Sequence, residues 1–218
     1  MNTSNSTDTK SPGKAPGGID ERIMEFARQM GEGNPFWTCE LSHLGKRTTV
    51  SHALSRLVRA EKLFRLMRGL YVLPKMSKLF GKVSALPKAI MKAISRLTEE
   101  VFEVSPERAL SALRLTTQNQ MALVCCTTGR SRVLRFDKGQ PIYLKSAPRK
   151  KAIAPIMGSM AGAAAIALLY LGPKEVDEDI MKTIKENMEP EDFDRLVSVA
   201  PKMPLWLADI LLHNKFRA

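Results

Sequence analysis

Acidic residues are nearly missing from one long stretch of this 218-residue chain. From Leu44 to Lys92 there is a single carboxylate, Glu61, against twelve Lys and Arg. Such a stretch repels itself as bare surface, so it reads as the footprint of a polyanion. Cysteine and histidine are also scarce, at three each. Cys39, Cys125 and Cys126 lack metal-ligand spacing, and their odd number fits a reducing compartment rather than a disulfide framework. His43, His52 and His213 stand in no pattern with a nucleophile, and no phosphate loop of the Walker or Rossmann type occurs. Enzyme activity, a metal and a cofactor are therefore not expected. The twenty residues from Ala152 to Leu171 carry no charge, over the length of a membrane span. Pro155, Gly158, Ser159 and Gly162 thin their apolarity, and Ala inserts poorly into lipid. A buried core helix over Met157 to Leu171, stopped by Gly172-Pro173, is expected, with no membrane association and a cytoplasmic location.

What the chain does have is positive charge, unevenly spread. The formal net charge is +12; residues 1–92 hold 16 basic and 7 acidic side chains, and residues 93–218 hold 18 and 15. That asymmetry favours a nucleic-acid module joined to a module with another task. The run from Thr48 to Pro74 sharpens the point. Drawn as a helix with Val50 at zero, Ala53, Val50, Leu54, Leu57 and Val58 fall in one arc of about 140°. Thr48, Thr49, Ser51, His52, Ser55, Arg56 and Arg59 fill the other side. A solvated helix face normally mixes both charge signs. A face of Arg, Ser, Thr and His without an acid suits phosphates and base edges. LFRLM, Arg68-Gly69 and LYVLP follow, a short hairpin folding back at the glycine. Helix then basic hairpin is the order of a recognition helix and its wing. The candidate DNA-binding residues are Lys46, Arg47, Thr48, Thr49, Ser51, His52, Ser55, Arg56 and Arg59, with Arg65 and Arg68 on the wing.

The expected fold class is α+β: an N-terminal winged helix-turn-helix followed by a C-terminal domain with a small antiparallel sheet and several helices. Residues 1–19 are polar and rich in Gly, Pro, Ser and Thr, and are expected to form a disordered tail. In the DNA-binding domain, residues 20–74, Asp20 is expected to cap a helix reaching Met30, and Thr38 a short helix over CELSHL. Residues 75–87 read as a linker. The C-terminal domain, residues 88–218, opens with a helix, a VFEV strand and a helix capped by Ser105 with Pro106 in its first position. Strands follow at MALVCCTT, RVLRF and PIYLKS, with hairpin turns expected at Thr128 to Ser131 and Asp137 to Gln140. The core candidates are Phe26, Leu41, Val50, Leu54, Leu57 and Tyr71 in the first domain. In the second they are Leu110, Leu113, Val124, Leu134, Ile166, Leu169 and Trp206. Eight Lys and Arg against Asp137 alone lie between Arg130 and Lys151. A second nucleic-acid or anion surface is accordingly expected on Arg130, Arg132, Arg149, Lys150 and Lys151. Nine carboxylates between Glu175 and Asp194 read as solvated helix faces, not a metal site.

At ALSRLV with RGLYVLP, then TTGRSRVLRF, then the PLW helix start at Pro204 to Trp206, the chain resembles the AbiEi-type antitoxins of bacterial abortive-infection (type IV) toxin–antitoxin systems. The resemblance runs from about Asp20 to Phe216. It implies a winged helix that binds inverted repeats of double-stranded DNA in its own promoter. It also implies a C-terminal domain that counteracts a nucleotidyltransferase-like toxin encoded beside it. On this resemblance, DNA contacts fall on Thr48, Ser51, His52, Ser55, Arg56, Arg59, Arg65 and Arg68. One departure stands out: such antitoxins usually carry a glycine after the recognition helix, where this chain has Ala60-Glu61-Lys62. The alternative is a winged-helix regulator whose C-terminal domain senses a small ligand; a third is an RNA-binding or nuclease-associated factor. Oligomeric state is left open by the sequence.

Overall fold

Ile23 and Ala27 recur one turn apart in IDERIMEFARQM, and both are closed in on the inner side of a helix, α1 (Ile19–Met30). The computed structural model describes residues 17–79, 81–117 and 121–216 and shows a mixed α+β chain. It divides between Ala85 and Leu86 into two units. Residues 1–16 of the expected tail lie outside the described residues. Gly18, not Asp20, holds the cap position of α1, so Asp20 sits in the first turn with its carboxylate turned elsewhere.

In the first unit, α1 leads to β1 (Pro35–Trp37), a 3₁₀ segment (Thr38–Leu44), α2 (Arg47–Arg59), β2 (Phe64–Met67) and β3 (Leu70–Val72). The sheet order is β1-β3-β2, antiparallel throughout. Thr38 does not cap the 3₁₀ segment. Trp37 occupies that position, and its backbone N–H donates to Glu40 Oε2 at 2.6 Å. The core gathers Ile23, Ala27, Phe36, Leu41, Val50, Ala53, Leu54, Leu57 and Leu63. Phe26 and Tyr71 are only partly buried and flank Phe36 at ring distances of 5.5 and 6.4 Å.

α2 ends without glycine. Glu61 takes the left-handed conformation, φ +51°. The Lys62 N–H then donates to the Leu57 carbonyl at 2.9 Å and the Glu61 N–H to Val58 at 3.0 Å. That pair of reversed bonds is the Schellman closure usually made with glycine. Residues 75–83, expected as linker, instead carry an antiparallel pair, β4 (Lys75–Ser77) and β5 (Gly81–Val83). Lys82 Nζ donates to the Glu61 carbonyl at 2.9 Å, tying β5 to the end of α2.

The second unit holds α3 (Pro87–Thr98), β6 (Phe102–Val104), α4 (Pro106–Ala112), β7 (Leu123–Thr127), β8 (Arg132–Leu134) and β9 (Ile142–Ser146). Helices α5 (Lys150–Ile153), α6 (Met160–Leu171), α7 (Glu178–Glu186), α8 (Pro190–Ser198) and α9 (Leu205–Phe216) complete it. The strand order β6-β7-β9-β8 corrects the expected antiparallel sheet and its first hairpin. β7 pairs with β9 in parallel, and β8 pairs with β9 antiparallel. Thr128 to Ser131 is therefore not a hairpin turn but a passage from β7 to the far edge of the sheet. The uncharged run also starts its long helix later than expected, at Met160, with Ser159 as cap. No helix among the described residues is long and apolar enough to cross a membrane. Every residue from Ala161 to Leu168 is buried, and α6 packs against α4, α8 and β6. Leu110, Leu113, Val124, Leu134 and Ile166 are buried, while Leu169 and Trp206 lie at the rim of this core.

Glu103 on β6 locks α6 in place. Its carboxylate accepts from the Gly158 N–H at 2.7 Å and the Val104 N–H at 2.9 Å. Burial raises the Glu103 pKa above the usual carboxylate value, and the two backbone donors pull it part of the way back. A raised folded-state pKa adds stability below the ordinary carboxylate range, which is lost as pH climbs through the raised value.

Two substitutions test these packing features. A Cβ at Gly162 would lie 2.5 Å from the Ile156 carbonyl and 2.6 Å from Glu103 Oε2. Gly162→Ala is thus expected to destabilise the protein by about 1–3 kcal/mol in urea unfolding; an unchanged midpoint would contradict the packing described. Glu61→Gly should act the other way, raising stability by about 1 kcal/mol by removing the left-handed penalty. A lower melting temperature for Glu61→Gly would show that the side chain does more than tolerate its position.

Candidate nucleic-acid interface

Four inward side chains on α2 decide which ones face out. With Val50, Ala53, Leu54 and Leu57 buried, Thr48, Thr49, Ser51, His52, Ser55, Arg56 and Arg59 are all exposed. Lys46 and Arg47 at the helix start, Arg65 on β2 and Arg68 in the β2–β3 turn are exposed as well. A cleft of about 890 Å³ opens between α2, the 3₁₀ segment and the hairpin. Arg47, Ser51 and Ser55 from α2 line it opposite Arg65 and Arg68. Lys46, Thr48, Thr49, His52, Arg56 and Arg59 lie off this cleft, on the rest of the polar face. Thr38, Cys39 and Ser42 also line the cleft. Reading the 3₁₀ segment only as a connecting helix misses them; Thr38 and Ser42, four apart, were the visible sign.

The hairpin does not swing freely. Gly69 turns it at φ +82°. Its carbonyl accepts from the Thr38 N–H at 2.9 Å and from Thr38 Oγ1 at 3.2 Å. Arg68 is thereby carried on a turn fixed to the 3₁₀ segment. Ser55 donates its hydroxyl proton to the Ser51 carbonyl at 3.0 Å. It consequently offers lone pairs outward, suited to an amino group on a base edge rather than to a phosphate.

Arg56 is placed differently from the other cations. Its Nη2 lies 2.5 Å from Asp20 Oδ1 and its Nε 3.1 Å from Asp20 Oδ2. The pairing raises the arginine's already high pKa, the hydrogen bond that Arg56 donates to Asp20 contributing most. α2 itself has no acid on its polar side, yet α1 brings one to its edge. Nothing local in the sequence signals a pairing across 36 positions.

The second expected surface is partly taken up by the chain's own groups. Glu100 Oε2 accepts from Thr127 Oγ1 at 2.8 Å and from Arg132 Nη1 at 2.9 Å. A Cβ at Gly129 would fall 2.3 to 2.5 Å from atoms of that carboxylate. The TTGRSR turn therefore does hold an anion, and the anion is the chain's own. Arg132 is committed to it, and Arg130 is exposed beside it. Lys150 Nζ donates to the Gly129 carbonyl at 3.4 Å, and Arg149, Lys150 and Lys151 line an open hollow of about 670 Å³ with Lys202, which sequence reading did not include. Burial pushes the Cys126 thiol up to about 11 and that of Cys125 upward, so both stay protonated near neutral pH. Among the described residues no group of three His, Cys, Asp or Glu is placed to hold a metal ion.

Comparison with curated proteins finds no match for this chain. Residues 22–196, from α1 into α8 and across both units, match a family described as a family of unknown function, DUF6088. With most of its length inside that match, the chain belongs to the DUF6088 family.

Proposed function

We propose that the first unit is a winged helix-turn-helix that binds double-stranded DNA, and that the protein is a transcriptional repressor of its own promoter. One observation carries this reading: the exposed polar face of α2 stands beside a basic hairpin, and cations from both line one cleft. The element order supports it. Helix, strand, short helix, helix and hairpin, with β3 between β1 and β2, is the arrangement that sets a recognition helix beside a wing. A helix the length of α2 spans about 20 Å and fits a major groove about 12 Å wide. In this reading Thr48, His52 and Arg59, at the middle of the polar face, address base edges. Ser55 accepts from an amino group, and Arg47, Arg65 and Arg68 hold the flanking phosphates. Inverted repeats are the target that the resemblance to AbiEi-type antitoxins implies.

The resemblance to AbiEi-type antitoxins extends the proposal to the second unit. It assigns that unit to neutralising a nucleotidyltransferase-like toxin encoded beside this gene. The uneven charge supports a division of labour, with the basic excess concentrated before Lys92.

Affinity for promoter DNA should fall steeply with salt, log K against log salt having a slope of about −0.9 per phosphate neutralised. Arg68→Ala should flatten that slope by about one and weaken specific and scrambled duplexes alike. Salt-independent binding would refute an electrostatic face. For the second unit, a fragment of residues 86–218 co-expressed with the neighbouring gene's product should restore growth without binding DNA. Rescue by the DNA-binding fragment alone would place the antitoxic effect in repression.

A further inference from the structure

Asp20 poses a problem of sign. A carboxylate at the edge of a DNA-facing helix repels phosphate, so it weakens the sequence-independent part of binding. Its pair with Arg56 is open to solvent, the side chains being 56% and 38% exposed, and open pairs add little to stability. What the pair does supply is orientation. A guanidinium carries five N–H donors in a planar fork. Asp20 takes Nε–H and one Nη2–H along the side edge. The end edge, one hydrogen each from Nη1 and Nη2, is left pointing away from the carboxylate. With the side edge taken by Asp20, the end pair is the one left to bridge O6 and N7 of guanine.

We propose that Asp20 is a positioning residue for sequence readout, holding the Arg56 guanidinium by its side edge so that the end edge meets a guanine. The inference rests on the DNA-binding reading above and deepens it. It also gives Arg56 a role distinct from Arg47, Arg65 and Arg68. The Arg56–Asp20 pair is neutral overall, so it adds selectivity with little counterion release. Freeing the arginine trades selectivity for unselective attraction.

The test selects binders from a pool of random duplexes with the full-length chain, Asp20→Ala, Asp20→Asn and Arg56→Lys, then titrates salt on the enriched and a scrambled duplex. The unsubstituted chain should enrich a guanine at one position of each half-site. Asp20→Ala should lose that preference by about ten-fold or more. It should also bind scrambled duplex more tightly, with a salt slope steeper by about one phosphate. Arg56→Lys should keep the charge and lose the guanine. A purely structural role predicts the opposite for Asp20→Ala: weaker binding to every duplex with the sequence preference intact. Either that result or an unchanged enriched sequence overturns the proposal. If circular dichroism shows Asp20→Ala unfolded, Asp20→Asn, which keeps one acceptor oxygen, is judged by the same two readouts. Failure of the unsubstituted chain to enrich any duplex would overturn the DNA-binding reading itself, and this one with it.

Discussion

The roll of α2 about its own axis is the constraint on which the first unit depends. Val50, Ala53, Leu54 and Leu57 are at most 3% exposed. Burying each Leu or Val is worth about 1.5–3 kcal/mol, so turning the helix by one residue would forfeit several such contributions at once. That fixed roll sets everything outside it. It sends Ser51 and Ser55 toward the cleft, leaves His52 and Arg59 at the centre of the outer face, and brings Arg56 to the side where α1 lies. Gly69, bonded to Thr38, then fixes the hairpin on the opposite side.

The second unit uses acids in a different way. Glu100 and Glu103 flank the start and middle of β6, and each carboxylate is spent inside the fold. Glu103 receives the Gly158 N–H ahead of α6, and Glu100 fills the turn after β7. Internal hydrogen bonds of this kind cost little when made and much when one partner is removed. The basic stretch from Arg130 to Lys151 is thus less uniform than its composition suggests. Arg132 is neutralised within the chain, whereas Arg149, Lys150 and Lys151 meet Lys202 across an open hollow.

How much of this was legible depended on the distance over which each feature acts. Period alone placed α2 and its two faces, because apolar spacing along a helix is a local property. The Ser105 cap with Pro106 was equally local, and Ser105 Oγ does accept from the Arg108 N–H. Features joining distant positions were not legible. Asp20 read as a cap because nothing near it names Arg56 as its partner. Thr127 to Arg132 read as a hairpin because its residues suit a turn; which strand lies between β7 and β8 is decided elsewhere. The β4–β5 pair was hidden by composition, since Lys, Ser and Gly suggest a connector. The closure of α2 at Glu61 shows the limit of residue preferences: two backbone bonds hold a non-glycine residue in a conformation its side chain disfavours.

The parallel pairing of β7 with β9 reaches into how the chain acquires its shape. β7 ends at Thr127, but the strand that covers its open edge begins only at Ile142, after β8 has been laid down. β8 and β9 pair locally, whereas β6 pairs with β7 across a longer connection that carries α4. Both pairings of β7 are non-local, Phe102 with Thr127 in β6 and Leu123 with Ile142 in β9, and non-local pairing is the slow kind of step. Until β9 emerges during synthesis, β7 presents unpaired backbone groups to its surroundings, a template for the wrong strand. The shortness of the passage from β7 to β8 limits that window. It holds β8 within reach, so that β9, once made, has one slot left to enter.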